Sequence, residues 1–356
     1  MASVAQTRDF VVGVDTHARS HTYAVLATST GQTLGIKQFP STSGGIARAL
    51  NWVGRTTGGD LDTLWVVECV ATYGAAIARA AAHAGYPLVE APRMDSRARR
   101  GVGKSDPLDA QRMATAVLAL EVEQLRHPRA DNGIRAALRF LTAAREQMTT
   151  EKTAYRNALT AIVRATELGI DARKPLTTSQ VHEISAWRHR AEELSLAIAR
   201  AEAKRLARRI LALAVDLDDN QTQLTDLVKD SPAAPLLDIV GVGHVTAAVI
   251  YTAWSHPGRL RNEAAFAALA GVNPIPASSG NTTRHRLNRG GDRRINRALH
   301  MAAVTRMAHD PETRAYVQRR KAEGLSTKEI RRCIKRYLAR RLYRALEASS
   351  AMMAPA

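Results

Sequence analysis

The sequence predicts an α/β domain followed by helical domains, and three features of its residue pattern lead to this. Short apolar runs bounded by turn residues occupy much of the first ninety positions, where they alternate with helical spacing. Long charged stretches with apolar residues three or four positions apart follow, and the last part is basic with helical spacing. A chain of 356 residues has room for two or three domains. We place them at residues 1–130, 131–230 and 231–356.

The first predicted domain opens with three strand-like runs joined by tight turns, which favours an antiparallel meander. A continuous apolar run further on suits a strand buried on both faces. The predicted order is β-β-β-α-β-α-β-α. In that order the segments are "DFVVGVDTH", "HTYAVLATS", "GQTLGIKQFP", "TSGGIARALNWVGRT", "LDTLWVVECV", "TYGAAIARAAAHAG", "YPLVEAP" and "GKSDPLDAQRMA".

The middle of the chain predicts long helices over residues 136–166 and 181–217, where charged and apolar residues recur at helical spacing. Such helices can form a coiled-coil hairpin that serves dimerisation or acts as a spacer. A plain helical bundle fits the same pattern, and the residues alone do not decide between the two.

The charge of the chain is unusually positive, with 51 Lys and Arg against 33 Asp and Glu, for a net +18. Residues 281–346 hold 19 of the basic residues and 5 of the acidic ones, so most of the net charge lies there. A solvated basic helix is one interpretation. This density of charge favours contact with a nucleic acid instead.

The remaining composition excludes several classes of protein. The two cysteines, Cys69 and Cys333, are far apart and form no disulfide framework or zinc-finger spacing. The first residues lack the apolar core of a signal peptide, and uncharged apolar runs stay below about 18 residues. We therefore expect a cytosolic protein with no membrane span.

The third domain begins with "SPAAPLLDIVGVGHVTAAVI", in which "GVG" between two apolar stretches resembles a helix-hairpin-helix motif. In such a motif small residues let backbone amides and a helix N-terminus approach a phosphate. Here Gly241, Gly243 and Thr246 would take that role. A Gly-x-Gly pair also occurs in ordinary turns, so this interpretation stays open.

Four acidic residues stand at places where a shared site can form. Asp15 and Glu68 each end a predicted strand, and Asp106 and Asp109 open a predicted helix with a proline between them. Helix capping alone explains the last pair. The four together can converge at one end of a sheet, because residues three apart share a helix face. Oxygen ligands of this kind suit Mg²⁺, or Mn²⁺, rather than zinc.

The motifs "VGVDTHARSH", "VVECVATYG", "GKSDPLDAQRMA", "FAALAGVNPIPASSG" and "NRGGDRRINRAL" resemble the DEDD transposase/invertase family. This family includes the Piv-like DNA invertases and the insertion-sequence recombinases guided by a bridge RNA. The resemblance covers nearly the whole chain in the right order, although the middle helices match in character only. It implies a RuvC-like, RNase H-type first domain with a mixed sheet, a helical dimerisation arm, and a C-terminal transposase domain.

The resemblance also implies the residues of the site. The acidic tetrad maps onto Asp15, Glu68, Asp106 and Asp109, and would bind Mg²⁺. A nucleophilic serine belongs to the "SSG" segment, where Ser278 or Ser279 fits, and spacing to "RGGD" slightly favours Ser278. Without the resemblance, "PASSGNT" is an ordinary polar loop. The basic residues expected to contact nucleic acid are Arg284, Arg286, Arg289, Arg293 and Arg294.

The family further implies donor and target DNA, a bridge RNA, and a homodimer that assembles to a tetramer on DNA. The protein would act in a prokaryotic cytoplasm, on the nucleoid when active. Two alternatives remain open at this point. One is a RuvC-like endonuclease that uses water and no serine, and the other is a non-catalytic nucleic-acid-binding protein whose acidic residues are structural.

Overall fold

A computed structural model describes residues 2–92, 105–129, 132–277 and 285–353. Contacts divide the chain into two compact units. The first comprises Met1–Asp131 with Trp254–Ala265, and the second comprises Asn132–Ala253 with Phe266–Ala356. The three functional domains placed from sequence stay a prediction, because compactness alone does not assign a function to each part.

The first unit is built on a mixed sheet of five described strands in the order β3-β2-β1-β4-β5. The strands β1 to β3 pair antiparallel, and β4 and β5 add parallel to β1. The predicted mixed α/β character is therefore confirmed. The strands are β1 Phe10–Thr16, β2 Ser20–Ala27, β3 Thr33–Pro40, β4 Leu64–Val67 and β5 Leu88–Glu90. The helices are α1 Val4–Thr7, α2 Ser43–Thr56, α3 Ala75–His83, α4 Asp106–Leu118 and a 3-10 turn Val122–Gln124.

Helices cover both faces of this sheet, which explains why β1 and β4 are apolar without alternation. On one face Val12 and Val14 of β1 belong to the same core as residues of α2 and α3. On the other face Val11 lies in a core with Met113 and Val117 of α4. All of these side chains are fully or almost fully buried. The central strand is thus held between two cores.

A glycine lets α4 lie directly on the central strand. A Cβ atom at Gly13 would lie 2.0 Å from the carbonyl oxygen of Ala110, far inside van der Waals contact. Because Gly13 precedes Asp15 by two residues, this contact brings the first turn of α4 towards the end of β1.

Long antiparallel helices dominate the beginning of the second unit. These are α5 Gly133–Ala165, α6 Thr178–Ala186 and α7 Leu194–Lys229. Side chains tie α5 to α7, since Asn220 Nδ2 donates to the carbonyl oxygen of Leu141 at 3.0 Å. Apolar residues of all three helices, such as Leu159, Ile184 and Ala207, form one buried core. The helix predicted over 136–166 is present as α5. The one predicted over 181–217 is wrong as a single helix, because the chain is not helical at 187–193 and the stretch falls on α6 and α7. Dimerisation by this arm stays a prediction.

The rest of the chain consists of short helices, a hairpin and three longer helices. Their bounds are a 3-10 helix Ala234–Asp238, α8 His244–Trp254, α9 Glu263–Leu269, β6 Ile275–Pro276, β7 His285–Arg286, α10 Arg293–His309, α11 Pro311–Ala322 and α12 Thr327–Met353. Asp292 and Asp310 cap α10 and α11 by accepting backbone N–H groups. Among the described residues, every helix is too short or too polar to cross a bilayer.

Candidate metal centre

The end of β1 and the end of β4 bring Asp15 and Glu68 side by side. Val14 pairs with Val67 in the parallel register, and the Glu68 amide continues it by donating to the Val14 carbonyl at 3.2 Å. The Thr16 hydroxyl also donates to the Glu68 carbonyl at 3.2 Å. Strand ends in a parallel pair meet at one edge of the sheet, and neighbouring strands lie roughly 4.8 Å apart. The first two predicted acids therefore occupy neighbouring positions.

The helix α4 supplies the other two acids. Ser105 has extended backbone geometry and accepts the Asp109 amide at 3.0 Å, so the helix begins at Asp106, with Pro107 in its first turn. Asp106 is half-exposed, whereas Asp109 is buried. Capping and the helix dipole account for an acid at this place. They do not require a buried carboxylate, which is costly without a partner.

Asp15, His17 and Asp106 form the closest group of possible ligands in the described residues. Each offers one ligand atom, and the three atoms lie within 4.8 Å of one another. His17 Nε2 is 3.1 Å from Asp15 Oδ2 and 3.5 Å from Asp106 Oδ1. The sequence argument missed His17. Its position two residues after Asp15, on the same side of an extended chain, was an available signal.

Negative charge accumulates around Asp15. Burial raises the pKa of the Asp15 carboxyl above its usual range, and the charges of Asp106 and Asp109 raise that pKa further. His17 opposes this by its charge and its hydrogen bond. Arg112 NH1 lies 3.3 Å from Asp109 Oδ1 and offsets part of the charge. A buried carboxyl group of raised pKa that lies among other carboxylates is typical of functional sites.

Glu68 lies at the same edge but outside the closest group. Its side chain is exposed, directly after β4. Its charge acts on the next residue: burial is the main cause that raises the pKa of the Cys69 thiol, followed by the charge of Glu68, with Asp15 contributing as well. Cys69 itself has a left-handed backbone, with φ of 49°. The chain therefore turns sharply where Glu68 leaves the sheet.

These side chains fit a divalent cation by their donor chemistry. Asp15, buried and close to other carboxylates, is the kind of group whose charge a cation relieves. Carboxylate oxygens suit Mg²⁺ and Mn²⁺, and an imidazole nitrogen is accepted more readily by Mn²⁺ than by Mg²⁺. The residues present thus match a hard or borderline divalent ion.

The serine segment lies outside the described residues. Ser278, Ser279 and Arg284 belong to positions 278–284, which connect β6 and β7. The hairpin on either side of them is described, and Ile275 pairs with Arg286.

The other predicted contact residues differ in their surroundings. Arg286, Arg289 and Arg293 are exposed. Arg294 is exposed as well, but its Nε lies 2.5 Å from Glu146 Oε2 of α5. An arginine held in an ion pair would have to exchange that partner for a phosphate. Nucleic-acid contact by these four residues stays a prediction.

Gly241 has a packing role that the sequence argument did not foresee. Its φ is 87°, and a Cβ there would lie 2.6 Å from the carbonyl oxygen of Ala302 in α10. Gly243, by contrast, is exposed just before α8, and Thr246 is half-buried within that helix. Close helix packing requires a glycine at position 241, and phosphate contact by all three residues stays a prediction.

Models of transposase families match two segments of the chain. One model, for the DEDD transposases of IS110 elements, matches residues 12–167, which include all four acids. Another, described as the transposase IS116/IS110/IS902 family, matches residues 233–318. The two segments together make up more than half of the chain. By class, the chain therefore falls among the transposase families. More narrowly, the chain belongs to the DEDD transposases of the IS110 type, which confirms the resemblance found in the motifs.

A curated relative comes from the same kind of element. The chain is 33% identical over 106 residues to an uncharacterized 43.6 kDa protein of insertion element IS110 from Streptomyces coelicolor. This alignment covers 29% of the chain and 26% of the relative, so the match spans about a quarter of the relative's length. The activity, substrates and partners of the whole protein are therefore proposals.

Proposed function

We propose that this protein is the transposase, or site-specific recombinase, of an insertion sequence, and that it cuts and rejoins DNA through a covalent phosphoserine intermediate. The observation that supports the proposal is that Asp15 lies close to Asp106, that the charge of Asp109 also acts on it, and that Glu68 follows the neighbouring strand at the same sheet edge. Carboxylates placed in this way suit metal-assisted phosphodiester chemistry. The family match over the same residues supports it.

The acidic tetrad would hold the metal, as Mg²⁺ or Mn²⁺. A divalent ion held there would supply positive charge for the phosphorane oxygens and acidify a bound hydroxyl. Asp15 is fixed by β1, and Asp106 and Asp109 by the start of α4. His17 Nε2 lies 3.1 Å from Asp15 Oδ2 and 3.5 Å from Asp106 Oδ1, so it would help to hold these two carboxylates near the metal.

Ser278 or Ser279 would be the nucleophile. The serine oxygen forms a bond to phosphorus while the bond from phosphorus to a deoxyribose oxygen breaks. The proton of the serine hydroxyl ends on the released sugar oxygen. A sugar hydroxyl of the new partner strand then displaces the serine and restores its proton. The number of phosphodiester bonds is conserved, so rejoining requires no nucleotide cofactor.

Guidance by a bridge RNA and assembly from dimer to tetramer complete the proposal. The basic C-terminal part of the chain suits binding of phosphate backbones, which carries no sequence information. Base pairing with an RNA would then select donor and target DNA. The long helices α5 and α7 offer a surface for a second copy.

Trapping of protein–DNA adducts tests the nucleophile. Purified protein is incubated with element-end DNA and Mn²⁺, and adducts are separated on a denaturing gel. Ser278→Ala or Ser279→Ala should abolish the adduct, and so should Asp15→Asn. Ser350→Ala, near the end of α12, is the matched control and should leave it unchanged. Cleavage that survives loss of both serines but not of Asp15 would establish a water-using endonuclease instead.

Sequencing of copurified RNA tests the guide. A single RNA of discrete length, encoded beside the gene, is the expected result. A mixture of cellular RNA fragments in proportion to their abundance contradicts guidance, while the serine chemistry would stand.

A further inference from the structure

A cavity of about 660 Å³ lies in the second unit, beside the β6–β7 hairpin. Its walls come from β7, from the turn after α9, and from α11 and α12. We call it the Lys335 cavity, after a buried lysine in its wall. Pockets of roughly 300–1,000 Å³ hold small organic molecules, so one nucleotide fits by size.

The described walls of this cavity are strongly basic. Arginines and a lysine from β7, α11 and α12 line it, with Glu329 as the acid among the described wall residues. Glu329 accepts the Ser326 amide at 3.0 Å and the Ser326 hydroxyl at 2.6 Å, which caps α12. Its Oε1 also lies 3.8 Å from Arg332 NH2, a partner that Arg332 would exchange for a bound anion. The basic residues are Arg286, Arg320, Arg332, Lys335 and Arg336. This balance favours an anionic ligand.

Lys335 is a buried cation with a neutral partner. Only 8% of the residue is exposed, and its Nζ donates to Asn296 Oδ1 at 2.6 Å. Asn296 Nδ2 is occupied with the carbonyl oxygen of Ala270 at 2.8 Å. In the described part of the chain Lys335 makes no ion pair. Burial lowers its pKa, and the charge of Arg331 lowers it further. A buried ammonium group of this kind is stabilised when an anion joins it.

The rim of the cavity adds an exposed aromatic ring. Tyr337 is 56% exposed, and Tyr316 supports it edge-on with ring centroids 6.0 Å apart. Leu287, 53% exposed, lines the cavity from the strand side. Aromatic rings in basic surroundings are the usual platform for unpaired bases.

We propose that the Lys335 cavity binds one unpaired nucleotide, with its phosphate on Lys335 and Arg332 and its base against Tyr337. Duplex DNA cannot present a base in this way, because its bases are stacked and paired. Arg286 of β7 lines the cavity, and the segment with Ser278 and Ser279 joins β7 to β6. The nucleotide would come from a DNA strand end near the cut, and this part of the proposal rests on the proposed function. Binding of an unpaired nucleotide in the cavity does not depend on the proposed function.

Fluorescence anisotropy of labelled oligonucleotides tests the proposal on the full chain. The probes are a 20-nucleotide single-stranded DNA, the RNA of the same sequence, and the DNA duplex. Tyr337→Leu keeps apolar volume but removes the ring, and Lys335→Met keeps length but removes the charge. Each should weaken single-strand binding about tenfold, with duplex binding changed less than about twofold. Arg314→Ala removes an exposed charge of α11 outside the cavity and should change neither.

The melting temperature separates a ligand site from a structural role for Lys335. We expect Lys335→Met to melt no lower than the unmodified protein, because it removes a buried charge that has a neutral partner. A lower melting temperature with unchanged single-strand binding overturns the proposal. Equal losses for single strand and duplex in Tyr337→Leu overturn it as well. The DNA and RNA probes identify which nucleic acid supplies the nucleotide.

This experiment is independent of the serine chemistry. A protein carrying both Ser278→Ala and Ser279→Ala should bind the single strand as the unmodified protein does. If that variant still forms adducts, the proposed nucleophile is wrong while the cavity stands. If Tyr337→Leu binds the single strand normally while adduct formation depends on serine, the cavity proposal is wrong and the proposed nucleophile stands.

Discussion

Gly13 lies against Ala110 so closely that no side chain fits between them. A Cβ at position 13 would be 2.0 Å from the Ala110 carbonyl oxygen and 2.8 Å from the Ala114 amide nitrogen. Both neighbours are backbone atoms of α4, which cannot rotate away as a side chain would. The separation of β1 and α4, and with it the position of Asp106 relative to Asp15, therefore depends on this glycine.

Gly13→Ala should push α4 off the sheet. Overpacking of this kind costs about 1–3 kcal/mol, and the displaced helix should also weaken Mn²⁺ binding. Urea unfolding and a Mn²⁺ titration measure the two effects. Gly44→Ala is a matched control in α2, because its Cβ would meet only Arg48 NH1 at 3.7 Å. Equal stability and Mn²⁺ affinity for both variants would show that α4 has room to shift.

Asp15→Asn should raise stability at neutral pH and abolish the response to metal. Burial raises the pKa of Asp15 above its usual 3.8. The folded protein therefore prefers the protonated form, and the unmodified protein loses stability as pH rises from 3.8 through the folded pKa. Asparagine has no such loss, so its advantage should vanish below about pH 4. Thermal melts from pH 3 to 8 with EDTA measure this, and Mn²⁺ should then stabilise only the unmodified protein.

His17→Ala should lower the affinity of the site for Mn²⁺ more than its affinity for Mg²⁺. An imidazole nitrogen contributes more to Mn²⁺ than to Mg²⁺, which prefers oxygen ligands. We expect Mn²⁺ affinity to fall about tenfold and Mg²⁺ affinity to fall less, measured by calorimetry. Loss of both to the same extent would mean that His17 only orients Asp15 and Asp106. His83→Ala, at the end of α3, is the control.

Arg306→Met should destabilise the second unit. Arg306 NH2 lies 2.6 Å from Asp310 Oδ2, and both side chains are about 10% exposed. Removing the cation leaves Asp310 buried with its charge, at a cost of about 3–5 kcal/mol. Urea unfolding measures this cost, and Arg314→Met on the exposed side of α11 should cost little. An equal cost for both variants would contradict the ion pair.

Ionised Asp310 should make the free energy of unfolding of the second unit fall at low pH. The hydrogen bond from Thr313, and then the charge of Arg306, lowers the pKa of Asp310 below its usual 3.8. Asp310 therefore contributes stability above pH 3.8, and this contribution is lost as pH falls through the folded pKa. In Asp310→Asn, unfolding midpoints between pH 2 and 5 should depend on pH less steeply. An unchanged slope would show that Asp310 is ionised equally in both states.

Local pattern was sufficient to predict where the acids lie, but not what surrounds them. Asp15 and Glu68 end apolar runs, and Asp106 stands before Pro107 at a helix start, so their elements could be predicted from neighbours in sequence. The contact of Gly13 with Ala110 joins residues 97 positions apart, and the residues next to either one in sequence do not predict it. His17 was not predicted, although it lies two residues after Asp15, because four carboxylates alone already make an oxygen-ligand set for Mg²⁺.

Gly241 shows a requirement that the sequence pattern did not contain. The pattern around it predicts phosphate contact, which stays a prediction, and the structure adds a positive φ and a close approach to Ala302 that only glycine allows. A small residue next to a helix serves either purpose, and sequence spacing does not distinguish them. The basic wall around Lys335 was visible only as a high density of charge, because burial of one lysine among many depends on the fold.

The central place of β1 has a consequence for motion. Its backbone is hydrogen-bonded to β2 on one side and to β4 on the other, and both faces are covered. Amides in such a strand exchange with solvent only through near-global opening, whereas amides past a strand end exchange through local fluctuations. Asp15 thus belongs to the slowest-exchanging part of the first unit, and exposed Glu68 to a faster one. When a substrate requires a different spacing of carboxylates, we expect Glu68 to move and Asp15 to stay in place.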